Sequence, residues 1–485
     1  MSWGKWIVIA LLVSPGGAIA QPAQPLQSRV QALLHAAGQG PRWGLVVTDD
    51  TGRELIAIDP DGRYIPASNT KMFTTAAAFA TLEGLDQPDA AGGAGIRLET
   101  YRKGSPDVVL EGHGDARLSS ATDCITDCLA GLADAVAAKT HVVHDVIGDD
   151  SLFPDERWSK GMSWNNIPTR SGTATSALTL DDNELAMTVA PSAIGSAPRL
   201  DLSTYYSVDN RAVTVAGDGV NLDYSREPNG LVVRLIGTIG AAAKPEVLHM
   251  GIDDPARYAA WRLKALLEAR HVRVTGRIDV RHRPLGWADD AAHRDGAPPM
   301  RPPEQPLLAK LTPPPLAEDL IHTNKVSQNL HAELFLRRVS LKDGSGSVAD
   351  GLAVERAMLE RAGVPRPDYD FADGSGMSSY NRVAPRGAVT LLRWIAAQPW
   401  GAQWRATLPI AGQDGTLARR FRGTPLEGKL FAKTGTLNQS NALSGYMIAK
   451  SGRTLTFSAY ANDVPDGVQA TKTMDAALNL IAAEN

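Results

Sequence analysis

The sequence predicts an α+β fold, α/β in the broad sense, in which an antiparallel sheet is packed with helices and a large β-rich region is inserted into that unit. Three patterns carry the expectation. Residues 430–433, 442–448 and 454–460 are β-forming runs separated by polar turn residues, which describes an antiparallel meander. Residues 72–82 are almost entirely apolar, Ala or Thr, the mark of a helix buried on most sides. Between these segments, residues 87–300 hold short β-like runs at 142–147, 211–215, 231–236 and 272–280, bounded by Gly, Asp or Pro.

From the N-terminus, the first 20 residues read as a secretory signal peptide. Lys5 supplies a positive start, residues 7–13 an apolar core, Pro15-Gly16-Gly17 a break, and Ala18-Ile19-Ala20 a small-x-small cleavage site. Export across the inner membrane and a periplasmic location are therefore expected. No later segment is apolar for long enough to span a bilayer, so no transmembrane anchor is expected after cleavage and only peripheral membrane contact is left open. The rest of the 485 residues exceeds one ordinary core, which implies two or three domains. A net charge of −4 gives no basic surface of the kind nucleic acid requires.

Ser68-Asn69-Thr70-Lys71 leads into the buried helix, with Pro66 just ahead of its start. A serine hydroxyl is a weak nucleophile at neutral pH, and an amine three residues on along a helix shares its face and can take its proton. At a helix's first turn, free backbone N–H groups and the positive end of the dipole stabilise an anion formed there. By composition alone a Ser-x-x-Lys arises about once or twice in a chain of this length, so it needs support from elsewhere.

Within the inserted region, Cys124 and Cys128 lie four apart. An oxidising compartment permits a bridge, whereas a regular helix across both would make one awkward, and both states stay open. His141 and His144, with Asp145 beside them, faintly resemble metal ligands. On a strand, positions three apart face opposite sides, and no further Cys or His completes a site, so neither metal nor cofactor is expected. The proline-rich stretch 296–315 marks the return from the insertion.

Ser327-Gln328-Asn329 follows, with Leu330, Leu334 and Phe335 behind it at helical spacing, which puts the polar pair at a loop-to-helix junction. The same Ser-x-Asn spacing occurs at Ser163-Trp164-Asn165 and Ser379-Tyr380-Asn381, so context rather than the motif selects Ser327. Lys433-Thr434-Gly435 and Thr436 end the first strand of the meander. A lysine, two hydroxyls and a glycine that lets another backbone approach make a surface suited to a peptide ending in a carboxylate.

The order Ser-x-x-Lys, Ser-x-Asn, Lys-Thr-Gly is that of β-lactamases and penicillin-binding proteins. With Asn324-Lys325-Val326-Ser327-Gln328-Asn329-Leu330, Asp373-Gly374-Ser375-Gly376-Met377-Ser378, Asp414-Gly415-Thr416-Leu417 and Gly148-Asp149-Asp150-Ser151-Leu152-Phe153, the chain resembles the class C, penicillin-binding protein 4 type of D-alanyl-D-alanine carboxypeptidase/endopeptidase over nearly its whole mature length. The resemblance implies a penicillin-binding/β-lactamase-like transpeptidase fold whose catalytic domain, residues 21–86 and 301–485, surrounds an accessory region, 87–300, of one or two small domains. The 259 positions between Ser68 and Ser327 set it apart from a compact β-lactamase or esterase on the same scaffold, which is the alternative. The implied substrates are peptidoglycan stem peptides and cross-links, with β-lactams trapped on the same serine.

In the implied reaction Ser68 attacks the carbonyl of a D-Ala-X bond, Lys71 is the general base, and the N–H groups of Ser68 and Thr436 hold the oxyanion. Ser327 relays the proton to the leaving amine. Asn329 binds the substrate amide, and Lys433 lowers the Lys71 pKa while drawing the substrate carboxylate to Thr434 and Thr436 across Gly435. The family also implies that Asp149, rather than its neighbour Asp150, reaches from the insertion to the cleft and meets the free amine of the peptide's diamino acid. Where the family often carries an arginine, after the 373–378 run, this chain has Ser379.

Overall fold

The computed structural model describes Met1 and residues 25–100, 104–301 and 303–485; apart from Met1, the expected signal peptide lies outside the described residues. The two ends of the chain meet in one five-stranded antiparallel sheet, ordered Leu430–Leu437, Ser440–Ile448, Thr454–Asn462, Arg42–Thr48, Glu54–Ile58. The expected meander is present, and its first two strands extend past the runs read at 430–433 and 442–448 to a tight turn, because Leu437 already pairs with Ser440.

Strand alternation decides what packs on each face. Leu443, Met447 and Phe457 point to one side, where Val30 and Leu34 of helix Leu26–His35 and Met474, Leu478 and Ile481 of helix Ala470–Glu484 cover them. Ala442, Tyr446 and Tyr460 point to the other, against Met72, Phe73 and Ala76 of helix Thr70–Thr81, Phe335 of helix Asn329–Arg338, Met358 of helix Val348–Arg361 and Leu391 of helix Pro385–Ala396. The result is a helix–sheet–helix sandwich with the predicted apolar helix at its centre. Ten of that helix's twelve residues are buried, Lys71 among them.

The insertion is built on a second, mixed sheet ordered Ile278–Arg283, Val146–Pro154, Asp107–Glu111, Gly95–Glu99, Ala309–Lys310. Helices Leu129–Lys139 and Pro255–Ala269 pack on it, and smaller sheets that include Glu184–Ala190, Val232–Gly240 and Glu246–Gly251 close over the same core through Met187, Leu235, Ile239 and Met250. The sheet's edge strand at Ala309–Lys310 lies past residue 300, so the chain re-enters the helical half only at helix Leu316–Lys325.

Two expected strands are broken at matching points. The 142–147 run divides into Val142–Val143 and Val146–Pro154, and the 272–280 run into Arg273–Val274 and Ile278–Arg283, with Gly276 packed against the His144 backbone between them. His144 thus occupies a bend beside Asp107, with Nδ1 3.0 Å from Asp107 Oδ1, and does not share a strand with His141 as the alternation argument assumed. Cys124 and Cys128 are joined by a disulfide with Cα atoms 5.8 Å apart. The helix starts only at Leu129, which removes the geometric objection.

The insertion docks on the helix after Ser327. Ala116, Phe153 and Ala177 pack against Leu330 and Leu334, while Arg338 forks onto the Asp89 carboxylate at 2.6 and 2.9 Å.

Candidate active site

Ser68 sits in a single 3-10 turn, Ala67–Asn69, immediately before helix Thr70–Thr81. Ala67 has φ +48°, a left-handed conformation that a residue with a Cβ adopts only where its surroundings impose it. Three contacts do so. Asn69 Nδ2 donates to the Lys433 carbonyl at 2.7 Å; at Gly376, itself at φ +88°, an added Cβ would lie 1.9 Å from the Ala67 oxygen; at Gly435 it would lie 2.4 Å from the Pro66 oxygen. The turn is therefore clamped between two glycines, and Gly435 is needed for this approach of strand to nucleophile as well as for access to substrate.

Lys71 Nζ has three neighbours: Ser68 Oγ at 2.9 Å, Asn329 Oδ1 at 2.6 Å and the Ser375 carbonyl at 2.6 Å. Two of these can only accept hydrogen bonds. A neutral amine has two N–H bonds and one lone pair, so donating to Asn329 and Ser375 leaves the lone pair for the Ser68 hydroxyl. Burial pulls the Lys71 pKa down to about 7, against the opposing charges of Asp373 and Glu333. Those carboxylates build the shell behind the amine. Glu333 accepts the N–H groups of Gly374 and Ser375 at 3.0 and 2.9 Å, and Asp373 accepts those of Gly376 and Ser378 and the Asn381 amide.

Lys433 is also buried, and its Nζ lies 2.8 Å from Ser327 Oγ, with Ser327 at φ +66° in the bend between helices Leu316–Lys325 and Asn329–Arg338. Burial, and after it the charge of Lys71, hold the Lys433 pKa well below the usual ammonium range. Burial is thus the leading cause at both amines, with the charge of Lys71 a further cause at Lys433.

Leu430–Leu437 is the edge strand of its sheet. Ala432 gives its N–H to the Pro409 carbonyl and not to the neighbouring strand, so alternation turns the N–H groups of Thr434 and Thr436 to the same free edge. They face a cleft of about 360 Å³ lined by Ser68, Ser327, Thr416, Thr434, Gly435 and Thr436. Thr416 Oγ1 and Thr434 Oγ1 are 2.8 Å apart, and Arg420, forked onto the Asp475 carboxylate, lines the cleft wall.

Eight of the nine sequence-predicted site residues, Ser68, Lys71, Ser327, Asn329, Lys433, Thr434, Gly435 and Thr436, converge here. Asn329 is more committed than expected, because its Nδ2 also donates to the Ser171 carbonyl from the insertion at 2.9 Å. Asp149 is corrected. It lies on strand Val146–Pro154, accepts from Ser151 Oγ at 2.6 Å, sits 3.5 Å from Arg97, and lines a separate cavity of about 410 Å³ with Glu111 and Arg281. Its carboxylate lies among the insertion's own groups, and Asp149 does not line the Ser68 cleft. Its neighbour Asp150 is buried between Ser176 and His282. Ser379 bonds the Gly161 carbonyl at 3.0 Å. Of the competing Ser-x-Asn pairs, Ser163 bonds Asn165 at an exposed turn, and Asn381 holds Asp373.

Sequence reasoning missed Glu333 and Ser171, and singled out the runs that hold Asp373 and Thr416 without giving those two residues a role. Glu333 stands four residues after Asn329, on the same helical face, and that spacing was a usable signal. Ser171 acts through its carbonyl, which no side-chain pattern encodes.

A family model described as the D-Ala-D-Ala carboxypeptidase 3 (S13) family matches residues 26–485. The D-alanyl-D-alanine carboxypeptidase of Actinomadura sp. (strain R39) is 33% identical over 456 residues, 90% of this chain and 81% of the relative. The D-alanyl-D-alanine carboxypeptidase DacB of Haemophilus influenzae is 24% identical over 465 residues, 93% of this chain and 91% of the relative. The crystal structure of penicillin binding protein 4 (dacB) from Haemophilus influenzae matches with a TM-score of 0.77 at 22% identity, over 93% of this chain and 97% of that one, which shows a common fold. The chain belongs to the D-Ala-D-Ala carboxypeptidase 3 (S13) family.

Proposed function

We propose that this chain is a serine-type D-Ala-D-Ala carboxypeptidase and DD-endopeptidase that acts on peptidoglycan stem peptides and cross-links through an acyl-enzyme on Ser68, in the periplasm to which its leader directs it. The observation that carries the reading is the environment of the Lys71 amine, buried, lowered to about 7 and bonded so that its free lone pair meets the Ser68 hydroxyl. Lys71 takes the hydroxyl proton as Oγ attacks the carbonyl carbon of a D-Ala-X bond. The oxyanion is held by the N–H groups of Ser68 and Thr436, and Ser327, supported by Lys433, passes a proton to the leaving amine. Water then releases the acyl group. A β-lactam traps the same serine, because its ring-opened amine stays tethered. The Thr434 and Thr436 hydroxyls offer a seat for the substrate's terminal carboxylate.

The purified mature protein, incubated in parallel with a free pentapeptide and a cross-linked muropeptide, is expected to release D-Ala from the first and cleave the second. Fast, continuous nitrocefin turnover with no lasting penicillin adduct and no peptide cleavage would overturn the reading in favour of a β-lactamase.

Gly435→Ala offers a geometric check. The new Cβ would meet the Pro66 oxygen and the Asn69 nitrogen, at 2.4 and 3.1 Å, and must push the strand from the nucleophile turn. A displacement on the order of 1 Å is expected to slow acylation by benzylpenicillin about 100-fold while leaving most of the fold's stability. A stopped-flow rate within a factor of two of wild type would show that the strand is not positioned by this contact.

A further inference from the structure

We propose that Asp182, His322 and His331 form a binding site for a divalent cation of the zinc class, which ties the insertion to both helices flanking Ser327. The inference departs from the sequence expectation of no metal, whose only candidate ligands were near His144. The three side chains come from segments that no spacing rule connects: the turn Asp181–Asn183, helix Leu316–Lys325 and helix Asn329–Arg338. One ligand atom of each lies within 4.8 Å of the other two.

The local construction is that of a histidine-based site. His331 is 2% exposed, with Nε2 2.8 Å from Asp182 Oδ1 and Nδ1 bonded to the Asp319 carboxylate behind it. A carboxylate on one ring nitrogen fixes the tautomer and directs the other nitrogen at a metal. Two imidazole nitrogens and one carboxylate oxygen make three protein ligands, and the fourth position faces a solvent-connected cavity of about 560 Å³ lined also by Ser119, Glu318 and Lys325. This donor set suits zinc and its first-row neighbours better than calcium or magnesium, which prefer oxygen alone.

Two further features bear on the site. The His322 ring lies 5.1 Å from the His331 ring, close enough for both to serve one cation as neutral ligands. The backbone of Asp181, Asp182 and Asn183 runs through φ values of 51°, 53° and 51°, three successive left-handed residues, none of them glycine. That turn is held by Asn183, whose side chain bonds Leu180 and Ala174, and by Asp181, which bonds Ser120; Asp182 is the residue it presents. On binding, the Nε2 proton of His331 passes to solvent.

His322 lies five residues before Ser327 and His331 four after it, and Gln328 Nε2 stands 3.5 Å from Asp182 Oδ2. A cation here is therefore a positioning device for the Ser327 bend. The test uses the full mature chain without a histidine tag, stripped with chelator and titrated with zinc chloride, with metal content and Tm read together. One zinc per chain and a raised Tm are expected, with affinity falling about tenfold or more in His322→Ala and in Asp182→Asn, and unchanged in His144→Ala. Both test residues are partly solvent-exposed, so loss of folding is not expected to mask the result. No retained zinc, or zinc binding that survives both substitutions or is lost in His144→Ala, would overturn the proposal whatever the peptidase activity.

Discussion

Ser68→Ala is expected to give a folded protein that takes up no fluorescent penicillin and loses peptidase activity by on the order of 10⁴–10⁶-fold in kcat. The size follows from the role. Every covalent step passes through Oγ: the other hydroxyl beside a lysine amine, Ser327 Oγ next to Lys433, lies on the leaving-group side, and the Thr434 and Thr416 hydroxyls bond each other. The fold should be spared, because among its side-chain hydrogen bonds the Ser68 hydroxyl has the one to Lys71, whose amine keeps Asn329 and Ser375 without it. Gel fluorescence after penicillin labelling, with thermal unfolding as the fold control, decides the matter. Normal labelling would mean that the acyl bond forms elsewhere.

Much of this centre was legible in the sequence because its groups are side chains at short, fixed spacing. Ser68 and Lys71 share a helical turn, Ser327 and Asn329 open a helix, and Lys433 to Thr436 occupy one strand. The sheet was legible for a similar reason, since 430–460 is a local meander. What joins Arg42–Thr48 to Thr454–Asn462 is not local, and no periodicity reveals that the chain's ends pair. The insertion was legible as β-rich, yet its mixed topology depends on the parallel pairing of Val146–Pro154 with Asp107–Glu111 and with Ile278–Arg283, the second of which joins residues over a hundred positions apart.

Asp149 shows the limit of motif transfer. The Gly148-to-Phe153 run could be matched by eye, but which way a strand carboxylate points is set by register and by its neighbours. Here those neighbours are Arg97 and Ser151. The loop that does reach the centre, carrying Ser159 and Ser171, has no chemical signature: one of its contacts is a hydroxyl on Glu333 and the other is a carbonyl.

The rate of acylation is expected to rise with pH and level off above about 7, following deprotonation of Lys71. The sign comes from burial. In water a lysine amine near 10.5 would be almost wholly protonated at neutral pH and useless as a base, whereas in this site desolvation outweighs the attraction of Asp373 and Glu333 and brings it to about 7. The same shift acts on stability. The folded chain holds fewer protons on Lys71 than the unfolded chain between about 7 and 10.5, so this group's contribution favours folding more as pH rises through that window and is least favourable below it. Activity should therefore rise up to about 7 and then level off, while this group's contribution to stability rises only above that, from about 7 to 10.5. Lys433 is lowered too, so the observed midpoint belongs to the coupled pair of amines and not to Lys71 alone. Lys71→Arg removes the titration, because a guanidinium stays charged, and is expected to cut the acylation rate constant by about 10²–10⁴-fold and to flatten the profile. Stopped-flow acylation by benzylpenicillin from acid to mildly alkaline pH measures both. A rate independent of pH in the wild type, or an arginine variant that still acylates at a rate close to wild type, would remove Lys71 as the base and leave the buried amine needing another explanation.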